Sequence, residues 1–232
     1  MSHVLFRPFM TKYTRLDRKT RHAADMYINV LEQLGVTDVA NHGLHIETCK
    51  EWNDEVFRLY ESQGVMPRDK IIGFNIGSAV PEKRWPAERF ADVADYFGNK
   101  GYKTVFFGGP MDLDMVKPVV EQMKTSPIVA TGAFKLGPLA AAMKWCDLLI
   151  TNDSGPMHVA ISQGVPIVAL YGPSNPFFYG PYQAKSIVLE SMDHYEIGKS
   201  MKQVITEGKY KGISVITEEQ VIKAAETLLQ ES

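Results

Sequence analysis

From Lys70 onward, short apolar runs alternate with stretches in which apolar residues recur every three or four positions. The runs have strand length: Ile71–Asn75, Lys103–Phe107, Ile128–Ala130, Leu148–Thr151, Pro166–Tyr171 and Ile187–Leu189. Between them the 3.6-residue period predicts helices over Pro86–Phe97, Met111–Met123, Leu139–Trp145 and Gly155–Ser162. In the first of these, Phe90, Val93, Ala94 and Phe97 share one face. A closing helix is predicted over Thr217–Leu229, where Thr217 and Gln220 have the spacing of a capping box. Apolar strands alternating with amphipathic helices imply a parallel sheet covered on both faces. The predicted fold class is therefore α/β, a doubly wound parallel sheet that gathers ligands at the carboxyl ends of its strands.

Residues 1–68 lack this rhythm. A helix is predicted over His22–Leu34, stopped by Gly35, and another over Trp52–Tyr60, ended near Gly64. Before them the chain is basic: Arg7, Lys12, Arg15, Arg18, Lys19 and Arg21 face only Asp17. Such a run is a solvated face or a hinge, or a contact with an acidic lipid or acceptor. The boundary falls between residues 1–68 and a regular domain over residues 69–232.

Composition narrows the classes. The chain has 232 residues, 45% hydrophobic and 22% charged, which fits a globular protein and excludes disordered and collagen-like chains. Its net charge of −2 gives no general pull toward nucleic acid. Cys49 and Cys146 form no disulfide framework, and a reducing cytoplasm is the default. No apolar run has the length of a membrane span. Met1–Met10 lacks the apolar core of a secretory leader.

The strongest chemical signal is Leu148-Leu149-Ile150-Thr151-Asn152-Asp153-Ser154-Gly155-Pro156-Met157-His158, a strand, a tight turn and a helix start. Ser154 or Asp153 should cap the helix, with Pro156 in its first turn. Free N–H groups there form an anion site suited to a diphosphate. The Ser154 hydroxyl would join them, and His158, one turn in, would donate to phosphate. A carboxylate is repelled by phosphate, so Asp153 makes sense as an acceptor from sugar hydroxyls. The plain alternative is an ordinary capped helix. A second loop, Phe74-Asn75-Ile76-Gly77-Ser78, precedes Lys83-Arg84-Trp85-Pro86. Lys83 there would neutralise a leaving diphosphate. On this reading, removing Lys83 should weaken diphosphate binding and barely change stability; the plain alternative is a solvated Lys83 beside a Trp85 packed in the core. A third loop, Tyr171-Gly172-Pro173-Ser174-Asn175-Pro176 with Phe177, Phe178, Tyr179 and Tyr182, either stacks on a base or packs on its own core.

Other patterns fail. Gly198-Lys199-Ser200 imitates the end of a P-loop, but Asp193 stands where its first glycine is needed. Asn152 and Pro156 replace both glycines of a nucleophile elbow around Ser154. His42, His45 and Cys49 lack a fourth zinc ligand.

Thr151–Pro176, with Ser78, Lys83-Arg84-Trp85-Pro86 and the closing helix, resembles the C-terminal half of glycosyltransferase family 9, the heptosyltransferases of lipopolysaccharide core synthesis. The likeness implies a GT-B fold, two Rossmann-like domains across a cleft, of which residues 69–232 would be the donor-binding one. It implies an inverting transfer of a sugar, typically heptose from ADP-heptose, to a lipopolysaccharide-core acceptor, at the cytoplasmic face of the inner membrane. The nucleotide sugar is a substrate, and no cofactor or metal is expected. By resemblance Asp153, Ser154, Gly155 and His158 bind the donor's sugar and diphosphate, Lys83 meets the phosphates, and Ser78 lies beside them. Ser154 stands where Thr is usual. The family's N-terminal domain carries an early Gly-Asp motif and a catalytic aspartate. This sequence has no Gly-Asp pair, so the expectation is a truncated piece or split gene product, inactive alone, with residues 1–68 a remnant of that domain and the hinge. Two other readings stay open: a nucleotide-sugar epimerase or hydrolase of the same fold, and a binding module without catalysis.

Overall fold

The computed structural model describes residues 21–36, 39–192, 195, 199–208 and 210–231. Six strands form one sheet: β1 (Ile71–Asn75), β2 (Lys103–Phe107), β3 (Ile128–Val129), β4 (Leu148–Asn152), β5 (Ile167–Tyr171) and β6 (Ser186–Glu190). Every neighbouring pair is parallel, in the order β3-β2-β1-β4-β5-β6. The predicted doubly wound sheet is thus the observed one. The chain winds outward from β1 to β3, crosses back, and winds outward again from β4 to β6. Strand order reverses between β1 and β4, and a crevice opens there at their carboxyl ends.

Successive side chains of a strand point to opposite faces, and here both faces are apolar. On one face Ile71, Val105, Phe107, Leu149, Ile167 and Tyr171 share a core with helices α2 (Lys50–Ser62), α5 (Leu136–Met143) and α6 (Gly155–Ile161). On the other, Ile72, Phe74, Phe106, Ile150, Val168 and Leu170 pack under α3 (Ala87–Asn99), α4 (Leu113–Gln122) and α9 (Glu218–Gln230). Each large apolar side chain buried this way contributes about 1.5–3 kcal/mol. The predicted capping box holds α9: the Thr217 hydroxyl accepts from Gln220 N, and Gln220 Oε1 accepts from Thr217 N.

Two features refine the sequence reading. Val56, Tyr60 and Val65 lie in the sheet's own core, although residues 1–68 were set apart from the sheet domain by pattern. α2 lies against α5, where a Cβ added at Gly137 would come within 2.5 Å of the Trp52 indole. α1 (Ala23–Gln33) is latched to the loop after β5. The His22 ring stacks on Tyr182 at 4.6 Å, and the Tyr182 hydroxyl donates to Asp25 and accepts from Asn41. Tyr182 of the aromatic loop is therefore a structural anchor. Two short helices went unforeseen, α7 (Pro176–Tyr179) and α8 (Met201–Thr206). Arg7, Lys12, Arg15, Arg18 and Lys19 lie outside the described residues, as do Asp193 and Gly198 of the P-loop look-alike. No described helix is long and apolar enough to cross a membrane.

Candidate functional site

The crevice between β1 and β4 is built from two loops. The first leaves β1 at Asn75 and runs through Ser78 to a 3-10 turn at Pro81–Lys83. Trp85 anchors its far end. The side chain is buried, its indole N–H donates to Ile216 O at 2.9 Å, and its backbone N–H donates to Asn152 Oδ1 at 3.0 Å. Asn152 ends β4, and its amide donates to Ile76 O at 2.8 Å. One asparagine thus ties both ends of the first loop to the start of the second. Trp85 takes the core role that a plain packing argument gives it, and that packing holds Lys83, two residues earlier, over the crevice.

Lys83 is not solvated. Its ammonium lies 2.5 Å from Asp153 Oδ2, with 18% of the Lys83 side chain and 7% of the Asp153 side chain exposed. The Ser174 hydroxyl donates to the same oxygen at 2.5 Å. Oδ2 is therefore occupied twice. Two expected ligand groups, 70 positions apart in sequence, neutralise each other.

Ser154 stands at the N-cap position of α6, but neither its side chain nor that of Asp153 caps the helix, contrary to expectation. The Ser154 hydroxyl accepts from the Asn75 amide at 2.8 Å and turns its own proton back to Asn152 O at 3.2 Å. A Cβ added at Gly155 would meet nothing within 4 Å, so this glycine leaves the approach to the turn clear. Ser78 is buried beside the turn, its hydroxyl donating to Asp153 O at 3.4 Å. His158 follows one turn into α6. Burial lowers its imidazole below the ordinary 6.5, and nearby His22 adds to this, against the opposing pull of Asp153. The ring is neutral at pH 7 and offers one N–H.

All six residues singled out in sequence gather around this crevice. Sequence reading missed Asn75, Asn152 and Ser174 as partners. A polar residue closing a largely apolar strand, as Asn75 and Asn152 do, was the available signal. Beyond Lys83 the crevice continues into a cavity of about 490 Å³. Met26, Ser174, Phe178, Tyr195 and Met201 line it, and the Tyr195 hydroxyl donates to Gly172 O at 2.9 Å. A larger hollow of about 880 Å³ lies at the other end of the sheet, against Lys70 and Asp147. It faces the amino ends of the strands, where a parallel sheet rarely binds. Among the described residues no group of three or more His, Cys, Asp or Glu side chains is arranged to hold a metal ion.

Known proteins share this architecture. A crystal structure of a glycosyl transferase family 9 protein from Veillonella parvula DSM 2008 is 79% identical, with a TM-score of 0.93 over 100% of this chain and 67% of that one. Lipopolysaccharide heptosyltransferase 2 of Salmonella typhimurium is 32% identical over 166 residues, 69% of this chain and 47% of that relative. The structure of E. coli ADP-heptose lps heptosyltransferase II is 27% identical with a TM-score of 0.65, covering 81% of this chain and 54% of that one. The chain spans about half the length of the curated relatives it matches. The model of glycosyltransferase family 9 (heptosyltransferase) matches residues 6–211, which takes in both crevice loops and all six strands, and on that match the chain belongs to glycosyltransferase family 9.

Proposed function

We propose that this chain is the donor-binding part of an inverting glycosyltransferase that moves a heptose from ADP-heptose to a lipopolysaccharide-core acceptor. The observation that carries this reading is the cluster of Lys83, Asp153, Ser174 and Ser154 at the strand-order reversal. It puts a cation, a carboxylate and hydroxyls within reach of one ligand. A diphosphate arriving there takes the Lys83 ammonium and the Ser154 hydroxyl, with a neutral His158 N–H beside them. The Asp153 carboxylate, with Ser174 still on Oδ2, is left to accept from sugar hydroxyls. As the bond from the anomeric carbon to the diphosphate breaks, negative charge grows on the phosphate. Lys83 and these donors are already aimed at it. The proton of the attacking acceptor hydroxyl goes to a base, a role the reading gives to none of Asp153, His158 or Lys83. Residues 69–232 serve the donor in this reading, and residues 1–68 are the remnant of the acceptor-side half and the hinge, whose last helix, α2, packs into the donor domain's core. A cytoplasmic place at the inner face of the membrane belongs to the same proposal. It is supported by the basic residues from Arg7 to Arg21.

Calorimetry with ADP-heptose and ADP tests it. Both should bind, and Asp153→Ala should weaken ADP-heptose more than ADP, because the carboxylate serves the sugar. Failure of the wild-type chain to bind either nucleotide would refute the reading. Equal losses would refute the assignment of Asp153.

A further inference from the structure

We propose that Asn75 is a positioning residue that makes Ser154 an obligate hydrogen-bond donor toward the diphosphate. The inference rests on the donor-binding reading above. Asn75 ends β1 and is 1% exposed. Its amide nitrogen faces three oxygens: Gly77 O at 3.2 Å, Thr151 Oγ1 at 3.2 Å and Ser154 Oγ at 2.8 Å. The Gly77 carbonyl can only accept, so the nitrogen of the amide must be the atom on this side. The amide oxygen, on the other side, is buried with no partner among the described residues. An unpaired buried acceptor costs free energy. The amide's two protons are shared among the three oxygens it faces, and the nearest of these, Ser154 Oγ, takes one of them.

The consequence falls on Ser154. A serine hydroxyl has one proton and can either accept or donate along a given direction. With Asn75 donating to it, the proton has to point elsewhere. It reaches Asn152 O at 3.2 Å, a long bond. Thr151, the other hydroxyl facing Asn75, is held differently: it donates to Asn152 O at 2.8 Å and is wholly buried. Ser154 is the partly exposed one of the two. Rotating its proton from Asn152 O to a phosphate oxygen trades a weak bond for a charge-assisted one and leaves the Asn75 bond intact. Without Asn75 the hydroxyl is free to turn, and ordering it is added to the cost of binding.

The test is a double-mutant cycle on the full chain. Asn75→Leu keeps the branched shape, with bulkier methyls, and removes the amide; Asn75→Ala removes it without adding volume and serves as a second variant if the first does not fold. Each is made alone and with Ser154→Ala. Affinities for ADP and for inorganic diphosphate are measured by calorimetry, and melting temperatures separately. Ser154→Ala should weaken both ligands about fivefold, the worth of one hydrogen bond. The Asn75 variants should weaken them two- to fivefold. In the Ser154→Ala background the Asn75 substitution should add less than a factor of about 1.5, whatever it does to the melting temperature. Losses that multiply would overturn the proposal, because Asn75 would then act independently of Ser154. So would an Asn75 variant with unchanged affinity. Absence of ADP binding in the wild type would overturn the donor-binding reading and this inference together.

Discussion

Replacing Lys83 by alanine should lower both stability and diphosphate affinity, and the two losses have different origins. Lys83 and Asp153 form a pair with 18% and 7% of their side chains exposed. Removing one member of a fully buried pair costs about 3–5 kcal/mol, because the other charge stays behind uncompensated. Asp153 retains the bond from Ser174 at 2.5 Å and sits at the mouth of a crevice. This brings the cost down to about 2 kcal/mol, near that of one lost hydrogen bond to a charged group. In a chain of this length that corresponds to a fall in melting temperature of about 4–8 °C. Adding Asp153→Asn should return most of it, since no charge is then left unpaired. Affinity for ADP should fall about tenfold, equivalent to about 1.4 kcal/mol. That is less than a free lysine would contribute, because binding must first part Lys83 from Asp153. Thermal melts of the wild type, both single variants and the double variant read the first effect, and calorimetry the second. A Lys83→Ala melting temperature within about 1 °C of wild type, with no recovery in the double variant, would refute the argument. Lys83 would then be the solvated side chain of the plain sequence reading.

Two further outcomes follow from the geometry. Because burial holds the His158 imidazole below 6.5, the unfolded chain binds more protons between the folded value and 6.5. Stability is therefore present in full above pH 6.5 and is lost as the pH falls through the folded value, so His158→Gln should flatten the decline in melting temperature between pH 7 and 5; parallel curves would contradict a desolvated ring. Gly137→Ala should displace Trp52, whose indole lies 2.5 Å from the site of the new Cβ, and destabilise the chain by about 1–3 kcal/mol. An unchanged melt would show that α2 is not seated on α5.

The strands were legible because each is a short apolar run closed by turn residues: β1 and β2 fall on the predicted residues. Helix starts were harder. The predicted Leu139–Trp145 is the observed Leu136–Met143, because Gly137 and Pro138 read as breakers. Pro138 sits in the first turn, where its missing N–H costs nothing. α8 begins with a capping box of Ser200 and Gln203, hidden beside the Gly198-Lys199-Ser200 look-alike. In the site, each residue's chemistry could be read, but not which partner it has at rest. Lys83 and Asp153 were each assigned to a ligand, and nothing local in either loop says that the fold brings them together. The Ser154 hydroxyl was read as a helix cap because that is its commonest use; Asn75, on a different strand, diverts it.

The two apolar faces of the sheet bear on how such a protein can change over evolutionary time. A one-residue insertion or deletion inside β1, β4 or β5 exchanges both sets of core contacts at once, since Ile71 and Ile72, or Leu149 and Ile150, serve opposite cores. Strand interiors are closed to length variation. The segments that follow β1, β4 and β5 carry Ser78 and Lys83, Asp153 and Ser154, and Ser174, and changes of length there leave both cores in register. New ligand preferences can therefore arise by replacing three short loops on an unaltered frame. A library varied in loop length at these places should keep a far larger folded fraction than one varied inside the strands.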